Sequence, residues 1–215
     1  MKLLSIQAGG PRDVEWHDGV VRTSIFKEPV TGPVRVGLLN VDGDEQSDLT
    51  VHGGVDKAVY AYPSEHYAFW QEQHPELKFP PVAFGENLTT EGLDEGALCI
   101  GDRLTIGTVA FRVSQPRMPC FKLGVRFGEP RMTRWFLENG RPGFYLAVLQ
   151  EGMIAAGDAI VITAAAEPRI SVAEIARWYT TVDVDPEHLR RALTIPTLPE
   201  SLRRHFRRRL GEVDA

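Results

Sequence analysis

Apolar and polar residues alternate in short runs through the first two thirds of the chain. Leu3 to Ala8, Val20 to Lys27 and Val34 to Val41 each read as a half-buried strand. Leu98 to Ile106 and Val109 to Val113 predict a hairpin joined near Gly107 and Thr108. Phe144 to Leu149 and Ala159 to Thr163 repeat the pattern. Gly, Pro, Asp and Asn punctuate the intervals. Many short strands with close turns predict a mainly β fold, a barrel or sandwich. A few helices interrupt it. One starts near Pro63, with Ser64 as its N-cap. Another runs from Arg131 to Asn139 and is ended by Gly140.

The pattern changes at Ala164-Ala165-Ala166-Glu167-Pro168. Three helical segments follow. Ser171 and Glu174 form a capping box for the first, and Asp185-Pro186 caps the second. Pro199 and Glu200 open the third, which runs to Leu210. The chain is therefore read as a β domain over residues 1–166, with its core at about 28–163, and a three-helix unit over 167–215.

Composition narrows the function classes. At 215 residues with 43% hydrophobic content, the chain supports a packed core. A net charge of −5 gives no whole-protein attraction to nucleic acid or anionic membrane. No apolar run approaches the roughly 18 residues of a membrane span, and Gly9-Gly10-Pro11 breaks the N-terminal run too early for a signal peptide. Two distant cysteines make no disulfide framework, which suits a reduced, cytoplasmic setting. There is no GxGxxG after a strand, no P-loop, no HExxH and no paired CxxC.

The strongest chemical signal is Gln115-Pro116-Arg117-Met118-Pro119-Cys120-Phe121-Lys122. It sets one cysteine between two prolines and two cations, at a predicted strand-to-helix junction. The helix is expected from about Cys120 toward Phe127, with Pro119 suited to its start. A thiol placed there is biased toward thiolate, the form that ligates soft metals and attacks electrophiles. Two prolines and two cations are hard to explain as core packing, whereas Cys99, in Ala97-Leu98-Cys99-Ile100, reads as a buried strand residue. A second cluster runs from Gly43 to Tyr60 and holds His52, Gly53, Gly54 and Lys57. The di-glycine lets backbone approach a ligand, and His52 and Lys57 can supply donors to an anion. A third, from Phe84 to Gly92 with Glu86, Asn87 and two threonines on a glycine-broken turn, offers donors and acceptors to a heterocycle, or equally a self-stabilised turn. The fourth is the run from Arg203 to Arg209, which reads foremost as a solvated helix face.

Taken in order, Asp48 to Val59, Phe84 to Leu88, Ile100-Gly101-Asp102 and Gln115 to Cys120 resemble the MOSC domain, in its YiiM-like branch with a C-terminal 3-alpha domain. The resemblance covers about Met1 to Leu210. It implies a MOSC-type β-barrel that holds the molybdenum cofactor, molybdopterin with Mo, with Cys120 as metal ligand and catalytic residue. Generic pyridoxal phosphate binding also goes with the family. Lys57, Arg117 and Lys122 are then expected to neutralise phosphate and metal-oxo charge, and His52, Glu86 and Asn87 to bond the pterin edges, beside Gly53 and Gly54. The implied function is reduction of N-hydroxylated small molecules such as hydroxylaminopurine, with electrons from a separate flavin-type reductase. The Arg-rich helix would offer that partner a docking surface. A sulfur carrier using a Cys120 persulfide, or a non-catalytic cofactor-delivery module, are the alternatives. Nucleic acid and membrane are not expected partners. A homodimer through the helical unit is compatible with the sequence.

Overall fold

A computed structural model describes residues 1–47 and 53–212. The strands are β1 (Lys2–Ala8), β2 (Arg12–Trp16), β3 (Gly19–Thr23), β4 (Glu28–Pro29), β5 (Val34–Val36), β6 (Val59–Pro63), β7 (Leu88–Glu91), β8 (Arg103–Ile106), β9 (Val109–Pro116), β10 (Phe144–Gln150), β11 (Gly152–Ile154) and β12 (Ile160–Thr163). The α-helices are α1 (Glu65–Gln73), α2 (Lys122–Phe127), α3 (Met132–Glu138), α4 (Val172–Thr180), α5 (Pro186–Leu193) and α6 (Glu200–Arg209).

Eight strands form one sheet in the order β12-β8-β9-β10-β6-β7-β1-β4. The sheet curls into a half-barrel and brings its far members together. Leu3 N–H donates to the Asp158 carbonyl at 2.9 Å and Ile160 N–H to that of Met1 at 3.1 Å, so β1 meets the start of β12. The expected hairpin is β8–β9, in register from Arg103↔Arg112 to Ile106↔Val109. It begins at Arg103 rather than Leu98, because the preceding residues turn around Asp102. Its alternation is clean: Leu104, Ile106, Val109, Phe111 and Val113 point into the core.

β6 and β7 pair in parallel, Ala61 opposite Leu88, with α1 in the crossover between them. All five residues of β6 are buried. Val59 and Ala61 join the main aliphatic core, while Tyr60 and Tyr62 enter a second, aromatic core with Trp70, Phe84, Met132 and Phe136. The pleat of one strand thus feeds two cores, and the second lies beneath α1, α2 and α3.

Three expectations change in detail. Val34 to Val41 yields only β5, followed by a turn that Val41 closes by bridging back to Val36. Val20 to Lys27 yields β3, which pairs with β2 as a separate ribbon and leaves residues 24–27 irregular. Ser64 stands ahead of α1 but its backbone is already helical, at φ −63° and ψ −27°, and its hydroxyl makes no cap bond.

The C-terminal helices start as the caps predict. Ser171 and Glu174 complete a capping box, and the Asp185 side chain accepts from Glu187 N–H. Their apolar faces do not form a separate core. Ile175, Trp178, Leu189, Leu202 and Phe206 join the same cluster as Leu98, Ile100 and Leu104. Two arginines of the basic run serve this packing. Arg203 donates to the Leu193 carbonyl at 2.8 Å, and Arg209 to those of Trp178 at 2.7 Å and Thr181 at 2.6 Å. They satisfy carbonyls that the ends of α5 and α4 would leave unpaired.

Candidate active site

β9 ends in a bulge. Tyr145 lies opposite Gln115 and Leu146 opposite Val113, so Ser114 is the extra residue. Its hydroxyl donates to the carbonyls of Asp56 and Tyr145, and Gln115 Nε2 donates to the Asp56 carbonyl at 3.2 Å. These bonds fix the 3-10 turn Val55–Lys57 against the end of β9. The chain then leaves the sheet as Arg117-Met118-Pro119-Cys120. Pro119 keeps Met118 out of helical backbone, and the chain turns at Phe121 before α2 starts at Lys122. Cys120 therefore precedes the helix by two residues rather than opening it. The Cys120 carbonyl pins it, accepting from Leu123 N–H at 3.0 Å and Thr133 Oγ1 at 3.3 Å.

This loop borders a cleft that opens to solvent. Gly53, Lys57, Asn87, Arg117, Cys120 and Lys122 line it together. Gly54 and Glu86 are not on its wall, and His52 lies outside the described residues. Arg117 is buried at 7% exposure. Its guanidinium donates to the Phe84 carbonyl at 2.8 Å and sits 4.7 Å from the Tyr60 ring centre and 5.4 Å from that of Phe136. Lys122 Nζ donates to Ser47 Oγ at 2.9 Å. Asn87 spends both ends of its amide on backbone: Oδ1 accepts from Tyr60 N–H at 3.1 Å and Nδ2 donates to the Gln7 carbonyl at 3.3 Å. Its evident task is to join β1, β6 and β7 at the cleft floor.

Wall residues to which the sequence reading gave no role in the site include Lys27, Asp44, Tyr60 and Tyr145. Lys27 and Asp44 form a buried ion pair, and Asp44 also accepts from Gly9 N–H at 3.1 Å. The available signal was Lys27, a cation ending an apolar alternation. With Lys57, Arg117 and Lys122 it makes four cations on the wall, against Asp44 and Glu45. Burial pushes the Lys27 ammonium below its ordinary range, with Asp44 opposing, and burial likewise lowers Lys57. Cys120 is near enough to influence Lys57, Arg117 and Tyr145.

Glu86 sits behind the wall, fully buried. Tyr67 donates its hydroxyl to one carboxylate oxygen, and Thr89 Oγ1 lies 3.3 Å from that oxygen. The second oxygen has no hydrogen-bond partner among the described residues. Burial raises the Glu86 carboxyl above its usual range, with the Tyr67 bond the main opposing effect. The stability this group contributes is full below the unfolded value near pH ~4.3 and is lost as pH rises through the folded value. Glu86→Gln keeps an acceptor for Tyr67 and removes the buried charge. The variant is expected to match or exceed wild-type thermal stability at pH 8, with the difference shrinking toward pH 4.5. Calorimetry across that range checks the slope; a variant less stable at pH 8 than at pH 5 relative to wild type would reverse the sign.

The wall suits the molybdenum cofactor on three counts. The thiol is a soft donor. Four cations face a cleft that an anionic group would enter. Ser24 stands on the wall, and its hydroxyl oxygen has no hydrogen-bond partner among the described residues. Those residues hold no converging group of three or more His, Cys, Asp or Glu. Among the described residues the wall thus offers one soft ligand, Cys120. No helix among the described residues is long and apolar enough to cross a membrane.

Comparison with known proteins bears on the family and the fold. The MOSC domain family matches residues 48–161, and the YiiM-like, 3-alpha helix domain family matches residues 170–211. Uncharacterized protein YflK of Bacillus subtilis (strain 168) is 41% identical over 170 residues, 79% of this chain and 76% of its own. A protein of Gibberella moniliformis (strain M3125 / FGSC 7600) named reductase is 36% identical over 162 residues, 74% of this chain but 29% of its own length. The crystal structure of YiiM from Geobacillus stearothermophilus superposes with a TM-score of 0.81 at 35% identity, covering 97% of this chain and 98% of that one.

Proposed function

Because this chain belongs to the MOSC domain family, with a YiiM-like 3-alpha helix domain after it, we propose that it is a molybdenum-cofactor-dependent reductase of N-hydroxylated compounds, hydroxylaminopurine-type base analogues among them. The observation that carries this reading is one soft thiol on the wall of a cleft lined by four cations. The relative named a reductase supports the reaction class. We further propose a cytoplasmic protein with its unit boundary near residue 166.

When bound, the cofactor supplies two-electron chemistry at its metal, by which an N–OH group becomes an amine and water with uptake of two protons. The chain supplies the setting. Cys120 would hold the metal through its sulfur. Arg117 is fixed by the Phe84 carbonyl and two rings, so its charge is placed before any ligand arrives. Lys122 and Lys57 offer ammonium groups to a phosphate tail. Electrons come from a separate flavin-type reductase. Arg204, Arg207 and Arg208 stay exposed on α6 and form a surface that fits an acidic donor.

The test is metal and pterin content of protein from cofactor-producing cells, followed by reduction of hydroxylamine and an N-hydroxylated purine with a chemically reduced viologen dye. Stoichiometric molybdenum and amine formation are expected. Protein that carries no molybdenum from such cells, but accepts a persulfide on Cys120, moves the sulfur-carrier reading into first place.

A further inference from the structure

A pterin bound in the cleft leaves the question of where the substrate's own ring lies. The structure offers space on one side. A second hollow, between the barrel and the helices, shares Lys57 and Tyr145 with the cleft and is closed by Met118, Tyr179, Ser201 and Leu202. It adjoins a longer groove between α3 and α4, with Met118 and Tyr179 common to both. A fourth hollow, near Glu76 and Arg126, shares no lining residue with the cleft. The loop that carries Cys120 therefore serves two spaces. Arg117 and Cys120 line the cleft, and Met118 between them lines the seam.

We propose that this seam is the substrate subsite, and that Tyr179 and Met118 are specificity-determining residues which hold the ring of a planar aromatic N-hydroxylated compound while its N–OH group reaches past Lys57 and Tyr145 toward Cys120. The proposal rests on the reductase reading of the cleft. Tyr179 is suited to the task because its plane is already fixed: it stacks on His205 with ring centres 4.0 Å apart and 20° between planes. A rigid aromatic surface binds a second ring with little ordering cost. Met118 supplies a polarisable thioether that adapts to ring edges. Ser201, at the start of α6, adds a hydroxyl at the rim. The three-helix unit would then be half of the binding site, and the barrel would hold the reacting group.

The test uses 2-aminopurine, a fluorescent purine lacking the N-hydroxyl group, titrated into the full-length protein. Saturable quenching is expected with wild type. Tyr179→Ala and Met118→Ala should each weaken it roughly tenfold, the scale of one lost stacking surface, and Tyr179→Phe should hold it within about twofold. Met118→Ala alters a loop and keeps the test alive should Tyr179→Ala fail to fold. In cofactor-loaded protein, the ratio of kcat/KM for an N-hydroxylated purine to that for hydroxylamine should fall roughly tenfold in either alanine variant, through KM. The proposal is overturned if wild type shows no saturable binding, or if the folded alanine variants bind the purine as tightly as wild type. Loaded wild type that reduces neither substrate defeats the reductase reading instead, and the purine titration still decides the seam.

Discussion

Protein carrying Cys120→Ser, isolated from cells that make the molybdenum cofactor, is expected to contain at least roughly tenfold less molybdenum than wild type, and to lose reduction of N-hydroxylated substrates with it. Even outer-shell changes cost about 10–100-fold in metal affinity, and this change removes the ligand. Serine preserves shape but exchanges a soft, readily ionised donor for a hard hydroxyl that stays protonated. Serine keeps the side chain's size, so the melt is expected to change little. Cys120 is tied to Leu123 and Thr133 through its carbonyl, and that bond is independent of the side chain. Metal analysis, pterin fluorescence and a thermal melt on the same sample separate the possibilities. Lost metal with an unchanged melt assigns Cys120 as ligand. Full metal content in the variant would remove the thiol from the coordination and take the proposed mechanism with it.

The largest effect on stability is expected at Asp102, the last residue of the Ile100-Gly101-Asp102 motif. Its carboxylate, 1% exposed, accepts from Cys99 N–H at 2.9 Å, Ala165 N–H at 2.8 Å, and Arg169 Nη1 at 2.8 Å. One side chain thus clasps the turn before β8 to the connection that leads into the helices. Asp102→Ala leaves two backbone donors and a guanidinium without their acceptor. Arg169 is one-third exposed, so its ion pair is discounted for solvent. The stranded N–H groups cost the most, on the order of 3 kcal/mol in total. For a chain of this size that lowers Tm by roughly 6–12 °C. The pH dependence follows from the sign of the shift. Burial would raise this carboxyl, but the Arg169, Ala165 and Cys99 bonds outweigh it and hold it below the usual range. Its stabilisation is present above the unfolded value near pH ~3.9 and fades as pH falls through the folded one. The gap between wild type and variant should therefore close on acidification below about pH 4. Equal melts at pH 7 would show that water replaces the lost acceptor.

Much of this fold was legible where local pattern and tertiary need agree. β1, β9, β10 and β12 lie where period-two runs place them, and α4 and α5 begin at their capping residues. The misses share a cause. Ser64 and Cys120 have the composition of helix starts, but the neighbouring backbone decides the boundary, moving α2 to Lys122. The basic run read as a solvated face, yet Arg203 and Arg209 reach back to carbonyls 8 to 31 positions earlier. Six expected site residues do meet at one cleft. Lys27, Asp44, Tyr60 and Tyr145 join them through sheet order and register, which no local pattern encodes.

The floor and walls of that cleft are stitched across long stretches of chain: Asn87 to Gln7, Arg117 to Phe84, Lys122 to Ser47. No single segment can fold a fragment of it in isolation. Occupancy and folding are then one linked equilibrium, because an unfolded chain has nothing to offer the ligand. A group held at a thousand times its Kd would add about 4 kcal/mol to the whole domain, not to a loop. The empty chain is the less stable species in any population, and protein turnover, which samples the open state, would by itself enrich the loaded one.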